Sequence, residues 1–140
     1  MTPPGRWPCP ACGREFRRSK QSHTCLPGCT VDDTFRAYPL SHRAIFDAIV
    51  AHLETLGPVH IDAVQVGVFL KRTHKLAEVR PRARSVQLAL VLPRTIEHPR
   101  IGRHYRSSPD RIWHPVPLAT LADFDDEVRA WLTEAFLAAE

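Results

Sequence analysis

Three cysteines and one histidine lie close together near the start of the chain, in the segment CPACGREFRRSKQSHTC. Thiolate and imidazole groups are the ligands that Zn²⁺ takes in closed tetrahedral sites. All four cysteines of the chain fall within its first 29 residues, whereas a disulfide framework would spread them through the fold. The spacing therefore predicts one structural Zn²⁺, bound by Cys9, Cys12, His23 and Cys25.

The fourth ligand has an alternative, because Cys29 also falls at a spacing found in zinc fingers. We favour Cys25, since Pro27 and Gly28 indicate that the chain is leaving the module before it reaches Cys29. Either choice gives four protein ligands. No position then stays open for water, so the predicted zinc is structural and not catalytic.

Four basic side chains lie between the two predicted ligand pairs, and they are Arg14, Arg17, Arg18 and Lys20. Folding does not require charge there, and basic residues in such a loop are suited to phosphates, which predicts nucleic acid or an acidic protein as partner. A second basic group is expected at hairpin ends in the following domain, and its members are Lys71, Arg72, Lys75, Arg80, Arg82 and Arg84. The two groups either face the same way as one electrostatic surface or point apart as two solvated patches, and the sequence favours neither arrangement.

Four carboxylates fall within five positions near the end of the chain, and they are Asp123, Asp125, Asp126 and Glu127. An oxygen-rich cluster of this kind can bind a cation. The more common explanation is that acidic residues in the first turn stabilise the N-terminus of a helix. Metal binding at this cluster is therefore the minor hypothesis.

No nucleophile is paired with a base in this sequence. His98, His104 and His114 lie on or near predicted strands, without a carboxylate at a recognisable spacing. The chain has no P-loop, no G-x-G-x-x-G segment and no serine in a nucleophile elbow. We name no catalytic residue and expect a binding module sooner than an enzyme.

Patterning divides the chain into a zinc knuckle over residues 1–29 and an α+β sandwich domain over residues 30–140. The expected strands are the runs VHIDAVQVGVFL, KLAEVRP, SVQLALVL, GRHYRSS and RIWHPVPL. The connections between them are too short to cross over. We therefore predict an antiparallel four- to five-stranded sheet with two long helices on one face.

The first long helix is the run SHRAIFDAIVAHLETLG, capped by Ser41 and ended by Gly57. A capping box at Thr30 is expected to open a short helix just before it. A second capping box, formed by Thr120 and Asp123, is expected to open the last long helix.

The composition is that of a globular protein, with 44% hydrophobic residues in a chain of 140. It has no run of about 18 apolar residues, which predicts no membrane-spanning segment. The N-terminal residues MTPPGRWPCP lack the apolar centre of a secretory signal. We therefore expect no association with a membrane and a cytoplasmic location.

The pattern W-x-C-P-x-C-G-R-x-F-x-x-x-x-Q-S-H-x-C resembles an uncharacterised bacterial family, mostly from actinobacteria, that is filed as a domain of unknown function. The T-V-D at the first helix and the DFDDEVRAWLTEAF segment extend the resemblance over nearly the whole chain. It implies Cys9, Cys12, His23 and Cys25 as zinc ligands, with Cys29 as a departure from the family pattern. The body is more distantly similar to the YdhG-type family, whose frataxin-like fold implies iron handling.

Three function hypotheses follow. The first is a non-catalytic module that binds nucleic acid or an acidic partner. The second is a frataxin-like iron carrier that uses the acidic cluster. The third is a small-ligand-binding accessory domain, with Tyr105, Trp113 and nearby histidines lining a pocket.

Overall fold

The computed structural model describes residues 7–8, 15–16 and 29–140. In these residues the strands are β1 (Trp7–Pro8), β2 (Glu15–Phe16), β3 (His60–Val64), β4 (Gly67–Lys71), β5 (Lys75–Pro81), β6 (Val86–Leu92), β7 (Tyr105–Ser108) and β8 (Arg111–Leu118). The helices are α1 (Val31–Phe35), α2 (Leu40–Leu56) and α3 (Asp126–Ala138), with a 3₁₀ turn at Leu121–Asp123. None of the helices in the described part of the chain is both long and apolar enough to cross a membrane.

The strands of the domain form one antiparallel sheet in the order β3-β4-β5-β6-β8-β7. The first four follow one another as a meander. After β6 the chain passes through residues 93–104 to the far edge, forms β7, and turns back so that β8 lies between β7 and β6. Strands β1 and β2 pair separately, with Trp7 opposite Phe16.

The predicted sheet of four to five strands is wrong, because the run VHIDAVQVGVFL is not one strand. It folds into the hairpin β3–β4, in which Val64 pairs with Gly67 across the two residues Gln65 and Val66. Two-residue hairpin turns usually contain Asn or Gly at the turn positions. Neither residue occurs at 65–66, so the usual turn signal is missing and the run looks continuous.

The prediction of two long helices is also wrong, because both helices begin at other residues than expected and the last one is shorter. Helix α2 has 17 residues, and its N-cap is Pro39, so Ser41 does not cap it. The capping box at Thr120 and Asp123 is present, but it begins the 3₁₀ turn and not the helix. The 13-residue α3 begins only afterwards, with Asp125 as its N-cap.

Two local predictions on helix ends are confirmed. The capping box at Thr30 forms through Asp33, whose backbone N–H donates to the Thr30 hydroxyl. Gly57 ends α2 with φ at 157°. A Cβ atom at Gly57 would lie 3.1 Å from Cζ of Phe136, so a side chain there would also press on α3.

One face of the sheet, the covered face, packs against the helices. On it Val86 pairs with Leu118 and Leu88 with Val116, and all four side chains are fully buried. Leu132 of α3 belongs to the same apolar cluster and is also fully buried. This cluster is the core of the domain.

The opposite side is called the outer face, and Glu78, Ala89 and Pro115 lie on it in register. Near the β3 edge it carries a buried ion pair between Asp62 and Lys71, with 2.8 Å between carboxylate oxygen and Nζ. A buried pair of this kind costs desolvation, which only close geometry offsets.

Candidate nucleic-acid interface

The predicted zinc ligands Cys9, Cys12, His23 and Cys25 lie outside the described residues. The predicted phosphate contacts Arg14, Arg17, Arg18 and Lys20 lie outside them as well. Strands β1 and β2 flank the segment that contains the first cysteine pair, and they are joined in antiparallel register. Glu15 of β2 approaches the domain, with its carboxylate 4.0 Å from Nε2 of His60.

Cys29, the alternative ligand, is half-buried and packs against the core of the domain. Its Sγ lies 3.5 Å from the hydroxyl of Thr34, and its backbone N–H donates to the carbonyl of Ala63. These contacts tie Cys29 to α1 and β3.

The second predicted basic group does not form one cluster. Arg72 and Lys75 lie at the turn between β4 and β5, whereas Arg82 and Arg84 lie at the turn between β5 and β6. These turns are the two ends of β5, about 20 Å apart for a seven-residue strand. The fold therefore separates them.

At the start of β5, next to the turn between β4 and β5, basic side chains from a distant part of the sequence also lie. The end of β6 pairs with the start of β8, and the turn from β7 into β8 lies at the same end of the sheet. This pairing brings Arg106 and Arg111 to the end of the sheet where β5 begins. We call this surface the basic end, and its members are Arg72, His74, Lys75, Arg106 and Arg111. The sequence predicted only Arg72 and Lys75 among them, although the SSPD turn and the alternation of β7 and β8 contained the signal for the other two.

The cations of the basic end differ in their contacts. Arg72 donates to the carbonyl of Phe136 at 2.9 Å and stacks on its ring, so it stabilises the C-terminus of α3. Lys75 lies over the ring of Phe69, with 4.3 Å between Nζ and the ring centroid. Within the described part of the chain, Arg106 donates only to a backbone carbonyl and Arg111 makes no carboxylate contact.

A cleft of about 180 Å³ opens at the basic end. Its lining residues are His74, Lys75, Val91, Leu92, Pro93, Asp110, Arg111, Ala135, Ala138, Ala139 and Glu140. Tyr105 and Trp113, which were expected to line a pocket, are not among them. Basic side chains, the carboxylates of Asp110 and Glu140, and apolar residues therefore all line the cleft.

Tyr105 and Trp113 instead stack on each other on the outer face, next to the basic end. Their ring centroids are 5.7 Å apart and the planes differ by 6°. The Trp113 indole N–H donates to the hydroxyl of Ser107 at 3.3 Å. Burial raises the pKa of the Tyr105 phenol, the charge of Glu78 raises it further, and the charge of Arg80 opposes both.

The acidic residues near α3 have structural partners. Asp123 accepts the backbone N–H of Thr120, while Asp125 accepts that of Val128 and pairs with Arg100 at 2.8 Å. The hydrogen bond from Val128 is the main reason that the pKa of Asp125 is lowered. The other two carboxylates also have partners. Asp126 lies 3.2 Å from the guanidinium of Arg129, and Glu127 lies 3.3 Å from Nε2 of His98. These caps and ion pairs account for the cluster, and no group of three metal-binding side chains occurs in the described residues.

The histidines in and near residues 93–104 hold that loop in place. His114 is fully buried, and its Nε2 accepts the backbone N–H of Ile96. His104 donates from Nε2 to the carbonyl of the same residue. His98 packs edge-on against Trp131 with a centroid distance of 5.0 Å. The imidazoles thus anchor the loop between the sheet and α3.

Comparison with known proteins identifies a family for the domain, but that family has no known activity. Neither the curated proteins nor the solved structures include a significant match to the chain. The distant resemblance to YdhG-type proteins therefore stays a prediction. A family described as a domain of unknown function, DUF5655, matches residues 31–139. Because that match covers most of the chain, the protein belongs to the DUF5655 family.

Proposed function

We propose that the protein is a zinc-stabilised, non-catalytic module that binds nucleic acid through the basic end of its sheet. The observation that carries the proposal is the gathering of cations from two distant stretches of sequence at one end of the fold. Arg106 and Arg111 are the decisive members, because no carboxylate in the described residues lies within ion-pair distance of either guanidinium group.

The chemistry of these side chains suits phosphate. Arginine presents a planar fork of donors that matches phosphate oxygens. Contacts of this kind supply affinity and depend strongly on salt, but they carry no base specificity. In the proposal, Arg14, Arg17, Arg18 and Lys20 of the zinc knuckle add phosphate contacts to those of the basic end.

The zinc part of the proposal has its own support. Strands β1 and β2 pair on either side of the segment with Cys9 and Cys12, which suits a metal-binding hairpin. The contact of Cys29 with Thr34 favours His23 and Cys25 as the second ligand pair. One zinc ion per chain then ties together a module too small for a core of its own.

Fluorescence anisotropy with labelled single- and double-stranded oligonucleotides at two salt concentrations tests the nucleic-acid proposal. We expect binding that weakens with salt, and the double variant Arg106→Gln/Arg111→Gln should reduce the log–log slope for single strands by about 1.4. The matched control is Arg82→Gln/Arg84→Gln, which removes the same charge at the opposite end of β5.

The control separates local contacts from net charge. If both double variants weaken binding equally, the basic end has no special role and its assignment fails. If the unaltered protein binds no oligonucleotide at low salt, the nucleic-acid proposal fails as a whole.

Elemental analysis of the purified protein tests the zinc. We expect one equivalent per chain, lost in Cys12→Ser and kept in Cys29→Ser. Zinc that disappears with Cys29 and persists without Cys25 would assign the fourth ligand to Cys29.

A further inference from the structure

We infer that the bound nucleic acid is single-stranded, with an unpaired base stacked on the exposed face of the Tyr105 ring. The inference rests on the proposed function and specifies its substrate class. Base–aromatic stacking is the usual way in which proteins hold single strands, because every base has a flat π-face.

The first observation is that this aromatic pair is exposed. Tyr105 remains 53% exposed although it stacks on Trp113. It belongs to β7, which is one of the two edge strands of the six-stranded sheet. A base placed on the free side of the Tyr105 ring would extend the stack that Trp113 begins.

The second observation is that the stack is held in a fixed orientation. Trp113 pairs with Tyr105 and with Val91 in the strand register, and its N–H donates to Ser107. A ring that is already ordered loses little conformational entropy when a ligand binds.

The third observation is the charge around the stack. Arg111 precedes Trp113 by two residues, so it lies on the same face of β8, about 7 Å along the strand. Arg103 precedes Tyr105 by two residues and is exposed. Neither has a carboxylate partner in the described residues, so each can take a phosphate next to the stacked base.

The combination distinguishes a single strand from a duplex. In a duplex the bases stack on one another, and a protein surface meets mainly phosphates and groove edges. Unpaired bases can turn outward and stack on aromatic side chains. Arginine side chains can bind the phosphates of a single strand or of a duplex. The Tyr105–Trp113 stack, in contrast, can contact only unpaired bases.

Anisotropy titrations with a 12-nucleotide single strand and with a duplex of the same sequence test the inference. Tyr105→Ala should weaken single-strand binding by about 5- to 150-fold, since one base loses its stacking partner. Tyr105→Phe keeps the ring and should stay within about twofold of the unaltered protein. The matched control is Tyr38→Ala, which removes the other tyrosine of the chain, also stacked on a neighbouring ring, between α1 and α2.

The outcomes separate this inference from the proposed function. Equal affinity for both forms, unchanged in Tyr105→Ala but reduced in Arg106→Gln/Arg111→Gln, overturns the single-strand inference and leaves the nucleic-acid proposal standing. Loss of single-strand affinity in both Tyr105→Ala and Tyr38→Ala also overturns it. Self-association that disappears in Tyr105→Ala, without oligonucleotide binding, assigns the stack to a second copy of the chain and overturns both.

Discussion

The two faces of the sheet differ in whether their polar side chains have hydrogen-bond partners within the protein. On the covered face, the buried polar side chains hydrogen-bond to backbone: the Thr34 hydroxyl donates to Val64 and the His114 ring bonds Ile112 and Ile96. Beside the outer face, Tyr105 is exposed and Arg111 has no carboxylate partner within the described residues. The first arrangement serves stability, while the second leaves donors and rings available to a ligand.

The contrast is not uniform across the outer face. Near β3 the buried Asp62–Lys71 pair resembles the covered face in its burial. Near β7 and β8, Arg106 and Arg111 have no carboxylate within ion-pair distance in the described residues, and Tyr105 of the aromatic stack is exposed. Function is therefore expected at the β7–β8 side, and substitutions on the two sides should have different consequences.

The largest loss of stability is expected from Lys71→Met. The substitution removes the ammonium group that lies 2.8 Å from the buried Asp62 carboxylate, and breaking a buried pair of this kind costs about 3–5 kcal/mol. Lys75→Met is the matched control, because Lys75 approaches the same Phe69 ring from a less buried position. Urea unfolding measures both variants.

The double variant Lys71→Met/Asp62→Leu should recover much of this loss of stability, since it removes both charges of the buried pair together. If Lys71→Met lowers the free energy of unfolding no more than Lys75→Met does, the Asp62–Lys71 pair does not stabilise the fold.

Leu132→Ala is expected to lower the free energy of unfolding by about 2–5 kcal/mol, because it opens a cavity beneath the covered face. Leu137→Ala is its control on the same helix. Leu137 is 62% exposed, and its loss should cost less than about 0.5 kcal/mol. Equal midpoints in chemical denaturation would contradict the placement of the core.

Stability should fall as the pH drops below about 6.5, the ordinary pKa of histidine. Burial lowers the pKa of His114 and of His52, so the unfolded chain takes up protons at a higher pH than the native protein does. The slope is at most about 1.4 kcal/mol per pH unit for each histidine, and it ends once the native form is protonated as well.

Urea unfolding at several pH values between 7.5 and 5 measures this slope. His114→Gln should flatten it and leave the part due to His52. An unchanged slope in that variant would mean that His114 titrates alike in the folded and unfolded chain.

The smallest effect on stability is expected from Arg106→Gln/Arg111→Gln. Neither arginine has an ion-pair partner in the described residues, so the double variant should stay within about 0.5 kcal/mol of the unaltered protein. Thermal unfolding checks this beside the binding assay. A large loss would show that these arginines serve the fold, and it would weaken their assignment to a ligand.

Local signals in the sequence were sufficient for some helix ends but not for the starts of α2 and α3. Thr30 and Asp33 form the expected capping box, and Gly57 ends α2, because each depends on neighbours a few residues away. Thr120 and Asp123 also form the expected box. The later start of α3 was missed because the sequence contains a second N-cap residue. Asp125 accepts the backbone N–H of Val128, and α3 begins after it and not at Thr120.

Other features depended on contacts that no local pattern contains. The hairpin at Gln65–Val66 was missed because its turn lacks the residues that usually mark one. The cluster of six basic residues was expected as a unit, but a single strand, β5, separates its members. The predicted roles of Cys9, Cys12, His23, Cys25 and the nearby basic residues stay predictions for chemical tests.

The sequence by itself determined the capping box at Thr30, the end of α2 at Gly57, the apolar periodicity and the residue types available for zinc and phosphate, since these follow from composition and short spacing. Only the tertiary structure decided that β7 lies outside β8, that Arg106 and Arg111 join Lys75, and that Tyr105 stacks on Trp113. The physical reason is register. Strand pairing between distant segments is set by the burial of a whole sheet face, and a shift of one residue would move every side chain of the strand to the opposite side.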